Sequence, residues 1–373
     1  MPRLLAATLA VAFALCLVPA TAAAAQRSVP RGWLGVIADG PLTREGAAVD
    51  GEWDRMASSG AESVRTAFYW PSAQRQASAP PDLSRYDAVV LAAARRGLPV
   101  LPIVTGTPGW AAMRPGDETS PPRDSGLYGD FLTTLVGRYG PQGSLWAEHP
   151  EVPRQPIRAW QVWNEPNLTR YWTPPRGQGF ARSYVKLLRA ADRALERADP
   201  RARVILAGLP NESWIALRTL YRAGARRSFD AVALHPYTGK PRNVVRLAEL
   251  ARREMRRFGD ARKPLWITEL SWPAAKGKTR NTSGFETTDA GQARRLTEGV
   301  RRLARARRRL RIERVFWYTW LSQEGTPNSF DYSGLRRVRG GRTVTVPALG
   351  AFRRVARRLE GCAKAPGDAR RCR

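Results

Sequence analysis

Short apolar runs alternate with longer amphipathic stretches from Trp33 to Leu359. Eight runs stand out: Trp33 to Ala38, Ser63 to Tyr69, Pro99 to Val104, Ile157 to Trp163, Val204 to Ala207, Ala231 to Leu234, Leu265 to Thr268 and Val315 to Thr319. Each is rich in Val, Ile, Leu or aromatic residues, as strands covered on both faces require. Between them lie segments of helical period, at Gly51 to Ser58, Tyr86 to Arg96, Phe180 to Ala198, Ser213 to Ala223, Asn243 to Phe258 and Ala290 to Arg308, with a last one near Ala348 to Leu359. Strand and helix in strict alternation predict parallel strands. The stretch Arg95-Arg96-Gly97-Leu98-Pro99 shows the punctuation: basic residues in a last helical turn, then a glycine stop before the next strand.

An open doubly wound sheet shares this alternation, so the ends of the strands must decide. In a barrel enzyme, reactive groups sit at the C-terminal ends of several different strands. Those ends read Phe68-Tyr69-Trp70, Gly109-Trp110, Asn164-Glu165-Pro166-Asn167, His235-Pro236-Tyr237, Glu269-Leu270-Ser271-Trp272 and Thr319-Trp320. No glycine-rich dinucleotide fingerprint follows the first strand. The expected fold is a single (β/α)8 barrel, the TIM barrel, spanning residues 26–360. The Gly- and Arg-rich segment Arg336 to Arg342 is expected to be a flexible insertion before the last helix.

The first residues change the picture by adding a compartment. Arg3, the apolar run Leu4 to Val18 and the small residues Ala20 to Ala25 form the three-part pattern of a secretory signal peptide over residues 1–25. The run is too short for a bilayer, which takes roughly 20 residues, so a secreted, extracellular product without membrane insertion is expected. Beyond that leader the cysteines are Cys362 and Cys372, both in the tail 361–373, and an even pair in an exported chain reads as a disulfide. With two histidines, His149 and His235, and no cysteine cluster, neither a metal nor a cofactor is expected.

Net charge is +30, carried almost entirely by arginine, since the lysines number six among 62 basic residues. Such a surface could concentrate an anionic glycan, a cell-wall phosphate or nucleic acid. An arginine-rich coding bias that fills solvated helix faces is the favoured explanation, because the densest run, Arg294 to Arg314, reads as one outer helix. No fold signature of a specific nucleic-acid binder accompanies the charge. A monomer with a carbohydrate partner is the expectation.

Two glutamates carry the chemistry. Glu165 ends the fourth strand and Glu269 the seventh, and on a closed eight-stranded barrel these ends face each other across the mouth. Glycosidic hydrolysis needs one carboxyl group to protonate the leaving oxygen and another to meet the charge at the anomeric carbon. Trp163-Asn164-Glu165-Pro166-Asn167 resembles the acid/base signature of clan A glycoside hydrolases, most like family 39 with family 5 close behind. Arg65, His235, Tyr237, Glu269 and Trp320 fall in the order that the clan keeps.

The resemblance implies a retaining, double-displacement hydrolase acting on O-glycosyl bonds of an extracellular poly- or oligosaccharide. Glu269 would be the nucleophile, kept ionised by Arg65 and Tyr237, and Glu165 the acid/base. Asn164 would bond the sugar 2-hydroxyl, and Trp320 would form the floor beneath the reacting ring. Of the 13 tryptophans, Trp33, Trp160, Trp266 and Trp317 lie within strands and are expected in the core. Trp70, Trp110, Trp172, Trp272 and Trp320 follow strands on the catalytic side and are expected to offer faces for sugar stacking. Exo-acting family 39 members usually carry an added β-sandwich, and none is expected after Leu321, which leans towards a polymer bound in an open groove. A transglycosidase and a non-catalytic carbohydrate- or cell-wall-binding barrel are the alternatives.

Overall fold

The computed structural model describes residues 27–43, 49–280 and 282–361. The expected leader, 1–25, and the pair Cys362 and Cys372 lie outside the described residues. Eight strands form one sheet: β1 (Leu34–Ile37), β2 (Val64–Tyr69), β3 (Val100–Thr105), β4 (Ala159–Val162), β5 (Arg203–Ile205), β6 (Val232–Leu234), β7 (Leu265–Leu270) and β8 (Ile312–Trp317). All neighbours pair in parallel, β1 with both β2 and β8. The parallel bridges Ile205↔Ala231 and Leu209↔Leu234 join β5 to β6 and close the ring. The (β/α)8 barrel read from the alternation is the fold of this chain.

A long helix follows each strand: α1 (Asp50–Ser58), α2 (Ser84–Ala94), α3 (Ser125–Tyr139), α4 (Phe180–Ala198), α5 (Ser213–Arg222), α6 (Arg242–Arg257), α7 (Asp289–Leu310) and α8 (Pro347–Glu360). The sequence pattern leaves α3 out, because Gly126, Gly129, Gly137, Thr133 and Thr134 dilute its helical character. Its apolar positions Tyr128, Phe131, Leu132, Leu135, Val136 and Tyr139 nevertheless keep the helical spacing and are all buried. Asp124 caps it by accepting from the Gly126 N–H at 2.8 Å.

Alternation along the strands divides the core in two. Ile37, Leu101, Ile205, Ala233, Trp266 and Phe316 point inward and fill the barrel. Their neighbours, such as Val36, Val315 and Trp317, point outward and pack under the helices. This parity sets where the next inward side chains emerge at the mouth.

The segment around Arg336 is not a flexible insertion. It forms β10 (Arg336–Arg339) and β11 (Arg342–Thr345), an antiparallel hairpin that pairs in parallel with β9 (Leu321–Gln323). Gly340 and Gly341, both at positive φ, make the two-residue turn that such a hairpin demands. Arg337 is fully buried and anchors the hairpin, donating to Glu324 at 3.0 Å, Asp289 at 2.7 Å and Gln292 at 2.8 Å. Glycine and arginine here serve a turn and a buried anchor, where composition alone suggests a loose loop.

Candidate active site

Parity places the first site residues. On β2, Val64 and Phe68 pack outward while Arg65, Ala67 and Tyr69 turn inward, Arg65 deepest and Tyr69 at the rim. On β4, Gln161 points inward below the mouth. Beyond it the backbone leaves strand geometry: Trp163 and Glu165 both lie in the left-handed region, at φ 69° and 45°. Bulky side chains rarely adopt that region, which costs on the order of 1–3 kcal/mol each and clusters at functional sites. The two turns flank Asn164, which bridges to Gly208, and they swing Glu165 over the barrel axis.

On β7 a different device operates. Ile267 pairs with Val315 and Leu270 with Trp317, so three steps on β7 match two on β8. This is a β-bulge, one extra residue that re-aims side chains. Ile267 and Leu270 both keep the outer core, and Thr268 and Glu269 both face the interior.

A belt of polar side chains joins the two glutamates from below. Arg65, fully buried, donates to Glu269 Oε1 at 2.8 Å, to Gln161 Oε1 at 2.7 Å and to Asn164 Oδ1 at 3.0 Å. The Gln161 amide reaches Thr268 Oγ1 at 3.5 Å, and Thr268 Oγ1 lies 3.0 Å from His235 Nε2. His235 Nδ1 lies 2.6 Å from Glu165 Oε1. The chain is self-consistent when the Thr268 hydroxyl donates to Nε2 and Nδ1–H donates to Glu165, a tautomer assigned from the partners. Glu165 then keeps its second oxygen for a transferable proton. The Tyr237 hydroxyl donates to Glu269 Oε2 at 2.6 Å. One oxygen of each glutamate and a ring nitrogen of His235 all lie within 4.8 Å of one another.

Gly208 makes the His235 position available. A Cβ built there would fall 1.9 Å from His235 Nε2, and the Gly208 carbonyl accepts the Glu165 N–H at 3.2 Å.

The same groups push the two carboxyls apart in acidity. Burial raises Glu165, with Glu269 adding to the rise and His235 and Arg65 offsetting only part of it. Burial presses Glu269 upward too, but the neighbouring His235, the Arg65 guanidinium and hydrogen bonds from Tyr237 and Arg65 outweigh burial and hold it below the usual carboxylate range. Tyr237 is driven well above its ordinary value by burial and the adjacent Glu269, so it stays a donor.

Both glutamates open onto a cavity of about 650 Å³. Its aromatic walls are Tyr69, Trp163, Tyr171, Tyr237, Phe285, Tyr318 and Phe330. The expected tryptophan platform is not there. Trp320, Trp272 and Trp70 are fully buried, and none of them lines the cavity. The Trp320 indole donates to Glu52 on α1 at 3.1 Å, Trp272 to the Thr238 carbonyl, and Trp70 to Gln74 at 3.0 Å. Trp110 stands edge-on to Trp70 at 5.7 Å and donates to the Gln74 carbonyl. Trp172 is buried as well, bonded to Ser183. Tyr318 lines the cavity instead, at the place to which counting by two from the inward Phe316 leads.

Four further polar residues of the site belong to no motif in the sequence. Gln161 and Thr268 are the belt; a polar side chain inside an otherwise apolar strand was their signal. Asp39 follows β1 at the rim, accepting the Ala67 N–H at 3.1 Å. Burial raises its carboxyl, despite that bond and Arg65. Glu118 lines the outer cavity and accepts from Tyr69 at 2.5 Å.

With this geometry the likeness to known proteins can be placed. The solved structure of a family 39 glycoside hydrolase from Bacteroides cellulosilyticus superposes with a TM-score of 0.62 at 18% identity, over 87% of this chain and 63% of that one. The chain shares the fold of family 39 glycoside hydrolases. A monomeric β-xylosidase from Caulobacter crescentus gives a TM-score of 0.65 at 19% identity, over 88% of this chain and 69% of its own. In sequence, 143 residues are 28% identical to a β-xylosidase of Geobacillus stearothermophilus, 35% of this chain and 25% of that protein. The chain thus spans a quarter of the curated relative that it matches. No family model matches the sequence.

Proposed function

We propose that the protein is a secreted retaining glycoside hydrolase, with Glu269 as nucleophile and Glu165 as acid/base. The observation that carries this reading is the pair itself: two glutamates with oxygens within 4.8 Å, one raised and one lowered in acidity. Retaining enzymes hold their carboxyls about 5–5.5 Å apart, and inverting ones leave room for a water at about 6.5–9.5 Å. Opposite shifts assign the roles, because the acid must begin protonated and the nucleophile ionised.

In the first step Glu269 bonds to the anomeric carbon as the glycosidic C–O bond breaks, and the Glu165 proton goes to the leaving oxygen. In the second, Glu165 takes a proton from water, whose oxygen displaces Glu269 and keeps the original configuration. Asn164, oriented by Arg65, is placed to bond a hydroxyl beside the reacting carbon. The cavity walls favour a neutral sugar, since Asp39, Glu118, Glu165 and Glu269 face Arg170 as the one basic lining residue among the described residues. The names of the relatives make aryl β-xylosides the first substrates to try.

The test is Glu269→Gly with and without added azide, assayed on aryl glycosides beside the native chain. Native protein should release sugar with retained configuration. The variant should be inactive until azide occupies the vacated space and yields the glycosyl azide of opposite configuration. Inverted product from the native protein would refute the mechanism. Export is tested by the N-terminus of the mature protein, expected near Gln26, and the Cys362–Cys372 bond by its mass without reduction.

A further inference from the structure

The arginines are not spread evenly around the barrel. α1, α2 and α3 carry one basic residue each, Arg55, Arg85 and Arg138, alongside Glu52, Asp54, Asp87 and Asp130. The excess begins in α4 and culminates in three neighbouring helices. α6 has six arginines against Glu249 and Glu254. α7 has eight against Asp289 and Glu298, and α8 has four against Glu360. A coding bias toward arginine acts on every helix alike, so it does not account for one side of the barrel being basic and the other not.

The excess on α6, α7 and α8 is gathered into two seams. Arg246, Arg253 and Arg256 of α6 line a groove of about 400 Å³ against Arg309 of α7. Arg294, Arg301 and Arg305 of α7 line a second, of about 480 Å³, against Arg354 of α8. The carboxylates in these seams are already engaged, Glu249 with Arg309 and Glu298 with Arg302. The remaining arginines named here meet no carboxylate among the described residues. Arg256 and Arg309 stand in the last turns of their helices, at the end of the barrel away from the mouth.

We propose that these seams bind a flexible, single-chain anionic polysaccharide that is not the substrate, and so hold the protein on an acidic matrix. Three observations select this partner. The charged groups lining the cavity at the mouth, among the described residues, are four carboxyls against Arg170 alone, so it disfavours an anionic sugar chain and the two functions separate. Helices pack with axes about 8–10 Å apart, and the groove between them admits one chain and not a duplex. The large apolar side chains exposed among the described residues are Met113 and Ile215, neither on this face, so nothing is offered for insertion into a membrane. Arginine forks suit carboxylate, sulfate or phosphate groups alike.

The test compares the native chain with two variants of equal charge, R246Q/R253Q/R294Q/R301Q in the seams and R182Q/K186Q/R193Q/R197Q on α4. Probes are polygalacturonate, a short DNA duplex and phosphatidylglycerol vesicles at about 0.15 M salt. Polygalacturonate should bind the native chain with a steep salt dependence. The seam variant should lose at least about tenfold in affinity, as the loss of four counterion-releasing contacts implies, and the α4 variant much less. Equal losses in the two variants, no binding of polygalacturonate, or tighter retention by duplex DNA or vesicles would each overturn the proposal. Glu269→Gly must bind as the native chain does, so the outcome stands apart from the hydrolase reading.

Discussion

At the mouth of the barrel four carboxyl groups share one cavity, and along the flanks of α7 arginines crowd two seams. Both are gatherings of like charge, yet they are tolerated by opposite means. Glu165 and Glu269 are buried and each has appointed partners: His235 for one, Arg65 and Tyr237 for the other. The seam arginines are exposed or half-exposed, and water and salt screen them. Where solvent is excluded, every partner is indispensable, and where it is present, hardly any is. Substitutions should therefore differ by orders of magnitude between the two regions.

The largest effect is expected at the acid. Glu165→Gln should cost about a hundredfold to ten-thousandfold in kcat on substrates with poor leaving groups, and far less on activated aryl glycosides. Equal losses across a leaving-group series would remove Glu165 from that role.

Arg65→Met comes next, because it strands the Glu269 carboxylate without its guanidinium and strips donors from Gln161 and Asn164. Breaking a buried pair costs roughly 3–5 kcal/mol, readable in urea unfolding. The pH profile of kcat/KM supplies a second measurement. In the native chain activity should fall on the acid side as Glu269 takes a proton, below the ordinary carboxylate range. It should fall on the alkaline side as Glu165 loses one, above that range. In the variant the acid limb should move to higher pH and the alkaline limb hardly at all. An unmoved acid limb would show that Arg65 does not set the ionisation of Glu269.

Gly208→Ala should cost about 1–3 kcal/mol of stability by overpacking. It should also lower kcat at least about tenfold for poor leaving groups, since His235 must shift away from Glu165. Stability lost with kcat untouched would mean that His235 does not position the acid. At the other extreme, Arg253→Gln in the seam should change stability by no more than about 0.5 kcal/mol and leave kcat unchanged. A larger destabilisation would make the seam part of the framework and erase the contrast.

Much of this was legible in the chain. Eight apolar runs marked eight strands to within a few residues because burial on both faces leaves continuous runs that few other elements produce. Asn164, Glu165, His235, Tyr237 and Glu269 come together because each stands at or just past the C-terminal end of a strand, and strand ends are countable; Arg65, the second residue of β2, joins them from deeper in the barrel. The tryptophans misled because position after a strand does not give direction. Trp320 and Trp272 turn into the shell between sheet and helices, and parity would have pointed to Tyr318. The belt of Gln161 and Thr268 was missed because neither is a reactive type. The hairpin at Arg336 is hidden because composition does not reveal that Arg337 has Glu324 waiting for it 13 residues away, and Asp289 and Gln292 48 and 45 residues away.

The bulge in β7 bears on how such a site can be gained or lost. Thr268 and Glu269 share the interior only because of one additional residue between Ile267 and Leu270. Deleting any single residue there would restore a regular strand, with Ile267 and Leu270 still seated in the outer core. One inward place would then have to serve two duties, gripping His235 and presenting a carboxylate. A single codon separates a barrel that carries the pair from one that keeps only the architecture, so an in-frame deletion at this point is the shortest route by which a relative could fall silent while still folding.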